Sequence, residues 1–233
     1  MAKMIGIDYS EDLKLPIQSI QTALQDGADL LCIPNPDSPT GTIIAPDILE
    51  SLIAMAQSRG TVVLIDEAYF PFYPQSVLYL IPKYDNLIVT RTLAKAWAAA
   101  GARVGYAVTN PELCSILHSQ KSMYEIGTLG ALLAEVVIDH AKDVEDAIAR
   151  TLRVKDQFCT ALESKGFRVF RGHSNFIHVD FGVNKAKIID ALQRSEVLFK
   201  ARFNDPCLKG FSRFTIGSEA MMNTVQTIIL QNL

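Results

Sequence analysis

Apolar positions along the chain fall into short blocks separated by polar turns, and the spacing of those blocks changes near residue 110. LPIQSIQTALQDG places its apolar residues at helical intervals and stops at Gly27. DLLCIP (29–34) is a compact apolar block of strand length. PNPDSPTG follows, and three prolines in the six positions 34–39 exclude a regular element there. PDILESLIAMAQSRG returns to the helical period and stops at Gly60. TVVLIDEA (61–68) begins as a β-branched, nearly continuous run, the pattern of a strand buried on both faces. YDNLIVTRT (84–92) and GARVGYAVT (101–109) read as two more strands. The succession predicts an α/β sheet covered by helices, and ligands of such sheets collect beyond the carboxyl ends of the strands.

After residue 110 helices dominate: PELCSILHSQ, TLGALLAEVVIDHA, and a long amphipathic run DVEDAIARTLRVKDQFCTALESKG that stops at Gly166. Shorter strands and helices follow in FRVFRG, NFIHVDF, NKAKIIDALQRS, VLFKARF and RFTIGS, and EAMMNTVQTIILQNL closes the chain as a helix. This change of texture predicts a large unit over 1–144 and a small C-terminal α/β unit over 145–233.

Composition narrows the function classes. The chain has 233 residues, 49% hydrophobic and 20% charged, which suits a folded chain with a sizeable core. A net charge of −3 gives no electrostatic footprint for nucleic acid or an anionic membrane. No apolar run reaches the roughly 18 residues of a membrane span, and the N-terminus lacks a leader-like apolar stretch. Cys32, Cys114, Cys159 and Cys207 form no CxxC pair, so reduced thiols in the cytoplasm are expected. His118, His140, His173 and His178 show no metal-ligand spacing.

Five polar positions stand where chemistry is expected, most with a plain alternative. Lys95 sits in TRTLAKAWAAAGARVGYA among small and apolar residues. Desolvation there would favour the neutral, nucleophilic amine; the same stretch can also form a helix whose lysine snorkels to water. Asp66 ends the VVLI run, where it can hold a protonated ring nitrogen, bind a metal, or cap the next turn. Thr92 and Arg103 flank the lysine and can clamp a phosphate, although Arg103 can equally form an ion pair at a strand start. Neither GxxxxGK[ST] nor GxGxxG occurs. Arg213, in GFSRFTIGS, is either a surface strand residue or a bidentate carboxylate ligand.

Taken in order, NPDSPTG, IDEAY, TRTLAKAWAAAGARVGY, SNFIHVDF and SRFTIG resemble the class I/II pyridoxal-phosphate aminotransferases of fold type I. Within them the set is most similar to the histidinol-phosphate aminotransferase branch, which includes the threonine-phosphate decarboxylases. The resemblance implies a large domain with a mostly parallel sheet, pyridoxal 5'-phosphate as cofactor, a role in amino-acid biosynthesis, and a homodimer. Its substrates would be an amino acid or amino-phosphate as donor and a 2-oxo acid as acceptor. It makes Lys95 the lysine that joins the cofactor and moves a proton between substrate Cα and cofactor C4′. Asp66 would pair with the pyridinium nitrogen, Tyr69 would donate to the phenolic oxygen, and Thr92 and Arg103 would hold the phosphate. Arg213 would bind the α-carboxylate, with Asn175 shaping that end of the site.

Three departures from the family pattern stand out. Ser38 replaces the asparagine that usually meets the cofactor O3′, and Ala94 replaces a serine on the phosphate side. Family members also carry about 100 or more residues ahead of the part matched here. That portion supplies a phosphate-binding turn, a ring stacked on the cofactor and residues that cross to the partner subunit. Two other readings follow: a decarboxylase of a phosphorylated amino acid, and a non-catalytic remnant of the scaffold.

Overall fold

The computed structural model describes residues 3–123 and 125–233. Its first sheet is built from β1 (Leu30–Pro34), β2 (Val62–Asp66), β3 (Leu87–Thr92) and β4 (Gly105–Thr109), in that spatial order. β1, β2 and β3 run parallel; β4 is antiparallel to β3. The register Pro34↔Asp66↔Thr90 brings the carboxyl ends of the three parallel strands to one edge of the fold.

Helices α1 (Ile17–Gln25) and α2 (Pro46–Gln57) cover one face of this sheet. Leu49, Leu52, Ile53 and Ala56 of α2 meet Ile33, Val63, Ile65, Leu87 and Val89 in a single buried cluster with Ile20 and Leu24 of α1. Pro46 opens α2 at a position where a missing N–H costs no intrahelical bond. The expected cover on both faces is not found among the described residues. Alternate positions such as Leu30 and Cys32 are exposed, and Val62, Leu64 and Asp66 are only half-buried.

Several expected boundaries move. β4 starts at Gly105 rather than residue 101, because 100–102 forms a 3₁₀ turn and Arg103 adopts a left-handed conformation (φ 56) that ends any extended run. AKAWAAA is not helical, since Ala98 is also left-handed (φ 55).

Helices α3 (Pro111–Gln120), α4 (Thr128–Asp139) and α5 (Ala141–Glu163) follow. α5 runs through residues 144 and 145 without a break. It packs on a second sheet of β5 (Arg168–Phe170), β6 (Phe176–Asp180) and β7 (Ser212–Thr215), all antiparallel, together with α6 (Lys185–Arg194) and α7 (Glu219–Leu230). Phe158, Leu162, Ile177, Val179, Ile188 and Ile229 centre that core. The strand expected at VLFKARF is a correction. Only Lys200 pairs, through a two-way bridge to Arg213, and Phe203 leaves the sheet to join Leu13, Leu208 and Phe211 in a separate apolar cluster.

Candidate active site

The twelve residues that join β3 to β4 (93–104), with the strand ends beside them, carry three of the expected groups. Thr92 closes β3 and turns the chain: its Oγ1 accepts from the Ala94 N–H at 3.0 Å and lies 3.4 Å from the Val104 carbonyl. Lys95 and Arg103 follow in the same connection. Both are exposed, so the apolar enclosure expected for Lys95 is not present around its side chain. Arg103 Nη1 lies 3.4 Å from the Ala100 carbonyl.

Asp66, at the end of β2, is held by its neighbours. Its Oδ1 accepts from the Ala68 N–H at 3.0 Å and from Thr90 Oγ1 at 3.1 Å, while Oδ2 accepts no hydrogen bond among the described residues. Thr90 is one strand over, in register with Asp66, which fixes the carboxylate on the sheet face that α1 and α2 leave open. The next residue faces the opposite way. Glu67 is buried and receives Arg91 Nε at 3.0 Å and Nη2 at 2.9 Å, Ser76 Oγ at 2.8 Å and the Val77 N–H at 3.0 Å. The Arg91 guanidinium also stacks 3.5 Å from the Phe70 ring centre. This network ties the ends of β2 and β3 to the loop that carries Tyr69.

An aromatic path joins the two sheets. Lys95 Nζ lies 5.5 Å from the Tyr69 ring centre. Tyr69 is buried and meets Phe176 edge to face, centroids 5.4 Å apart at 82°. The Arg213 guanidinium lies 4.9 Å from the centre of that same Phe176 ring, on the side of the second sheet. Asn175 precedes Phe176 and accepts the Ile216 N–H at 2.8 Å through its carbonyl, three register positions from the His178↔Arg213 pair. Ser38 is exposed in the loop after β1 and, like Arg103, joins no part of this path among the described residues.

The loop that bears Ser38 is rigid for reasons the prolines did not reveal. Asn35 donates to the Ile44 carbonyl at 3.2 Å and accepts its N–H at 2.7 Å, and Asp37 accepts both the N–H and the hydroxyl of Thr40. Gly41 ends the loop at φ 78, and a Cβ there would stand 3.2 Å from Phe176 Cε2 and from Ser174 Oγ. Its carbonyl accepts the His173 N–H at 2.7 Å. Buried Lys155, from α5, donates to the carbonyls of Gly172 at 3.0 Å and Ser174 at 2.7 Å and so fixes the opposing strand end; burial pushes its amine down to about 8.

His178 was also missed. It is fully buried in β6 among the rings of Phe170, Phe176, Phe203 and Phe211, opposite Arg213 in the register. The Pro39 carbonyl faces it without reaching hydrogen-bond geometry, and both ring nitrogens lack partners among the described residues. Burial first, then the Arg213 charge, pushes its ring down to about 4. Phe176, Thr90 and the Glu67–Arg91 pair were equally missed. The apolar alternation of NFIHVDF could have marked Phe176; nothing local marks the others.

The sequence profile for aminotransferase class I and II matches residues 2–229. Histidinol-phosphate aminotransferase 3 of Mesorhizobium japonicum is 30% identical over 224 residues, which are 95% of this chain and 60% of the relative. The chain thus spans about 60% of the length of that curated relative. Among solved structures, the histidinol-phosphate aminotransferase of Clostridium acetobutylicum matches with TM-score 0.87 and 23% identity, covering 97% of this chain and 70% of the other. That of Sinorhizobium meliloti, in complex with pyridoxal-5'-phosphate, matches with TM-score 0.82 and 20% identity over 98% and 64% of the two chains. The L-threonine-O-3-phosphate decarboxylase of Porphyromonas gingivalis gives 0.74 and 20% over 87% and 64%. These structural likenesses show a shared fold. With the profile covering nearly the whole sequence, the chain belongs to the class I and II aminotransferase family.

Proposed function

We propose that this chain carries the lysine, ring-nitrogen and carboxylate sites of a pyridoxal-phosphate-dependent aminotransferase for an amino-phosphate of the histidinol-phosphate type, with a 2-oxo acid as acceptor. The observation that supports it is the path Lys95–Tyr69–Phe176–Arg213, which sets an amine on one sheet and a guanidinium on the other against a single pair of rings. The donor set fits the cofactor: Asp66 has one oxygen fixed by two donors and the other available to a ring N–H.

Pyridoxal phosphate, when bound, supplies the electron sink for cleavage of a bond at the substrate Cα. The chain supplies position and proton movement. Arg213 takes the α-carboxylate through its planar fork, oriented by Phe176 and the bridge to Lys200. Lys95, exposed in the β3–β4 connection, would remove the Cα proton and return it two bonds away, at cofactor C4′. Asp66 keeps a ring nitrogen protonated, and Tyr69 holds the phenolic edge. Thr92 and Arg103 take the phosphate, with Ser38 and Asn175 at the borders. A homodimer and a cytoplasmic location belong to the same proposal.

The test is reduction with borohydride after addition of pyridoxal phosphate, followed by peptide mapping. A phosphopyridoxyl group on Lys95 is the expected result; a label on another lysine, or none, would overturn the assignment. Oxo-product formation from histidinol phosphate and a 2-oxo acid then tests the reaction. Release of CO₂ from a phosphorylated amino acid would replace it with decarboxylation.

A further inference from the structure

The connection between β3 and β4 is held in a conformation that its own sequence does not favour. Of the four non-glycine residues at positive φ among the described residues, two stand in it: Ala98 at 55° and Arg103 at 56°. An L side chain in the left-handed region is strained unless its surroundings impose it, and such strain gathers at functional positions. Hydrogen bonds inside the connection fix part of it. Leu93 N–H donates to the Val104 carbonyl at 3.1 Å, Ala99 N–H to that of Leu93 at 2.9 Å, and Ala102 N–H to that of Ala99 at 3.0 Å. Arg103 itself is tied less well: its guanidinium makes one hydrogen bond among the described residues, to the Ala100 carbonyl at 3.4 Å. Its placement is therefore set through the backbone.

Two glycines press on that backbone. A Cβ at Gly130, in α4, would stand 2.5 Å from the Ala102 carbonyl oxygen, and one at Gly105 would stand 2.8 Å from the Arg91 carbonyl oxygen. No other glycine of the chain has an atom within 3.0 Å of that position. The Gly105 approach belongs to the β3–β4 ladder, where Gly105 faces Thr92. The Gly130 approach brings a separate helix onto the carbonyl that immediately precedes Arg103. Around it, Ala134 of α4 meets buried Leu93 and Ala99, and Val137 packs on the same cluster with Ala102 and Val104. Helix α4 thus bears on the connection before Lys95 and on either side of Arg103.

We infer that α4 imposes the left-handed turn at Arg103 through the close approach of Gly130 to the Ala102 carbonyl, which makes Gly130 a positioning residue for the phosphate ligand. The inference rests on the proposal that Arg103 holds the cofactor phosphate. Alanine is a better helix former than glycine, so α4 persists in Gly130→Ala. Its methyl group displaces the Ala102 carbonyl, a backbone atom that cannot swing aside as a side chain does, and Arg103 moves with that peptide.

The test compares Gly130→Ala with Gly101→Ala, which adds the same methyl group to the turn at a point where nothing stands within 4 Å. In the protein without added ligand, hydrogen exchange at the Leu93, Ala99 and Ala102 amides should quicken by about ten-fold or more in Gly130→Ala. It should keep the parent rate in Gly101→Ala. Borohydride trapping at Lys95 is then titrated with pyridoxal phosphate and with pyridoxal, which lacks the phosphate. Gly130→Ala should raise the concentration for half-maximal labelling by pyridoxal phosphate about ten-fold and leave that for pyridoxal unchanged. Arg103→Ala should do the same, and the double variant should lose little beyond Arg103→Ala, because both changes act through one guanidinium. Equal losses with the two aldehydes, additive losses, parent exchange rates in Gly130→Ala or faster exchange in both glycine variants would each overturn the inference and leave the functional reading in place. A parent protein that takes no label at Lys95 overturns the functional reading, and the phosphate role of Gly130 with it, whatever the exchange rates.

Discussion

Tyr69 and Phe176 meet edge to face across the boundary between two separate sheets, 5.4 Å apart at 82°, and each also faces a charged group of the proposed site. The same ring contact therefore serves packing and positioning. Phe176→Ala removes a fully packed ring and its aromatic pair, and should cost about 3–5 kcal/mol in denaturant unfolding. Phe176→Leu should cost less and retain the fold. With that variant, borohydride labelling of Lys95 should persist while the KM for the amino donor rises, because Arg213 loses its platform.

His178 makes stability depend on acid. Its folded-state value is depressed from 6.5 to about 4, so the unfolded chain binds the extra proton first. Stability is complete above pH 6.5 and is lost as pH falls towards 4, by up to about 3 kcal/mol from this group. Arg213 and Lys155 are the cations whose charge opposes protonation of the ring. His178→Phe should flatten this part of the stability profile, read from urea midpoints between the two pH values. An unchanged slope would place the acid sensitivity elsewhere.

Breaking the Glu67–Arg91 pair from one side leaves a buried carboxylate without its cation. Arg91→Met should therefore cost about 3–5 kcal/mol, far more than an exposed pair such as Lys142–Asp146. Thermal unfolding of Arg91→Met beside Lys142→Met makes the comparison directly.

Gly41 is tied to its conformation twice over. Gly41→Ala must hold a side chain at φ 78 and also push back Phe176 and Ser174, so a loss of about 1–2 kcal/mol or more is expected. Gly60, also left-handed but with open space around its missing Cβ, is the control. Gly60→Ala should cost only the backbone part.

Ala94→Ser tests the phosphate side of the site. The Ala94 N–H already donates to Thr92 Oγ1, and a serine here adds a hydroxyl two residues after that threonine. One added hydrogen bond of about 0.5–1.5 kcal/mol should tighten pyridoxal phosphate by roughly two- to ten-fold in a spectrophotometric titration.

Much of the fold was legible because apolar spacing records which face of an element is buried. The VVLI and LIVT runs, the glycine stops at 27, 60 and 166, and the amphipathic course of α5 all carry that record. The sequence misled where an apolar run had no packing partner. The continuous runs suggested a sheet covered twice, yet one face leaves apolar surface exposed, as does α4. VLFKARF failed as a strand because only Lys200 finds a partner and Phe203 turns to another cluster. For the proposed site, motif order singled out Lys95, Asp66, Tyr69 and Arg213. It was silent on Thr90, Phe176, His178 and Arg91, whose importance arises from residues far away in the chain.

The connection between β3 and β4 has a consequence for evolution and for engineering. With Thr92 at its start, Lys95 within it and Arg103 near its end, it is a single transplantable cassette bounded by a closed antiparallel pair. Its length is constrained at both ends: an insertion after Lys95 would shift the arginine relative to the amine, and one before it would shift the amine relative to Thr92. Substitutions should therefore accumulate in this cassette far more readily than insertions or deletions, and grafts that exchange it whole should preserve the relative placement of all three groups.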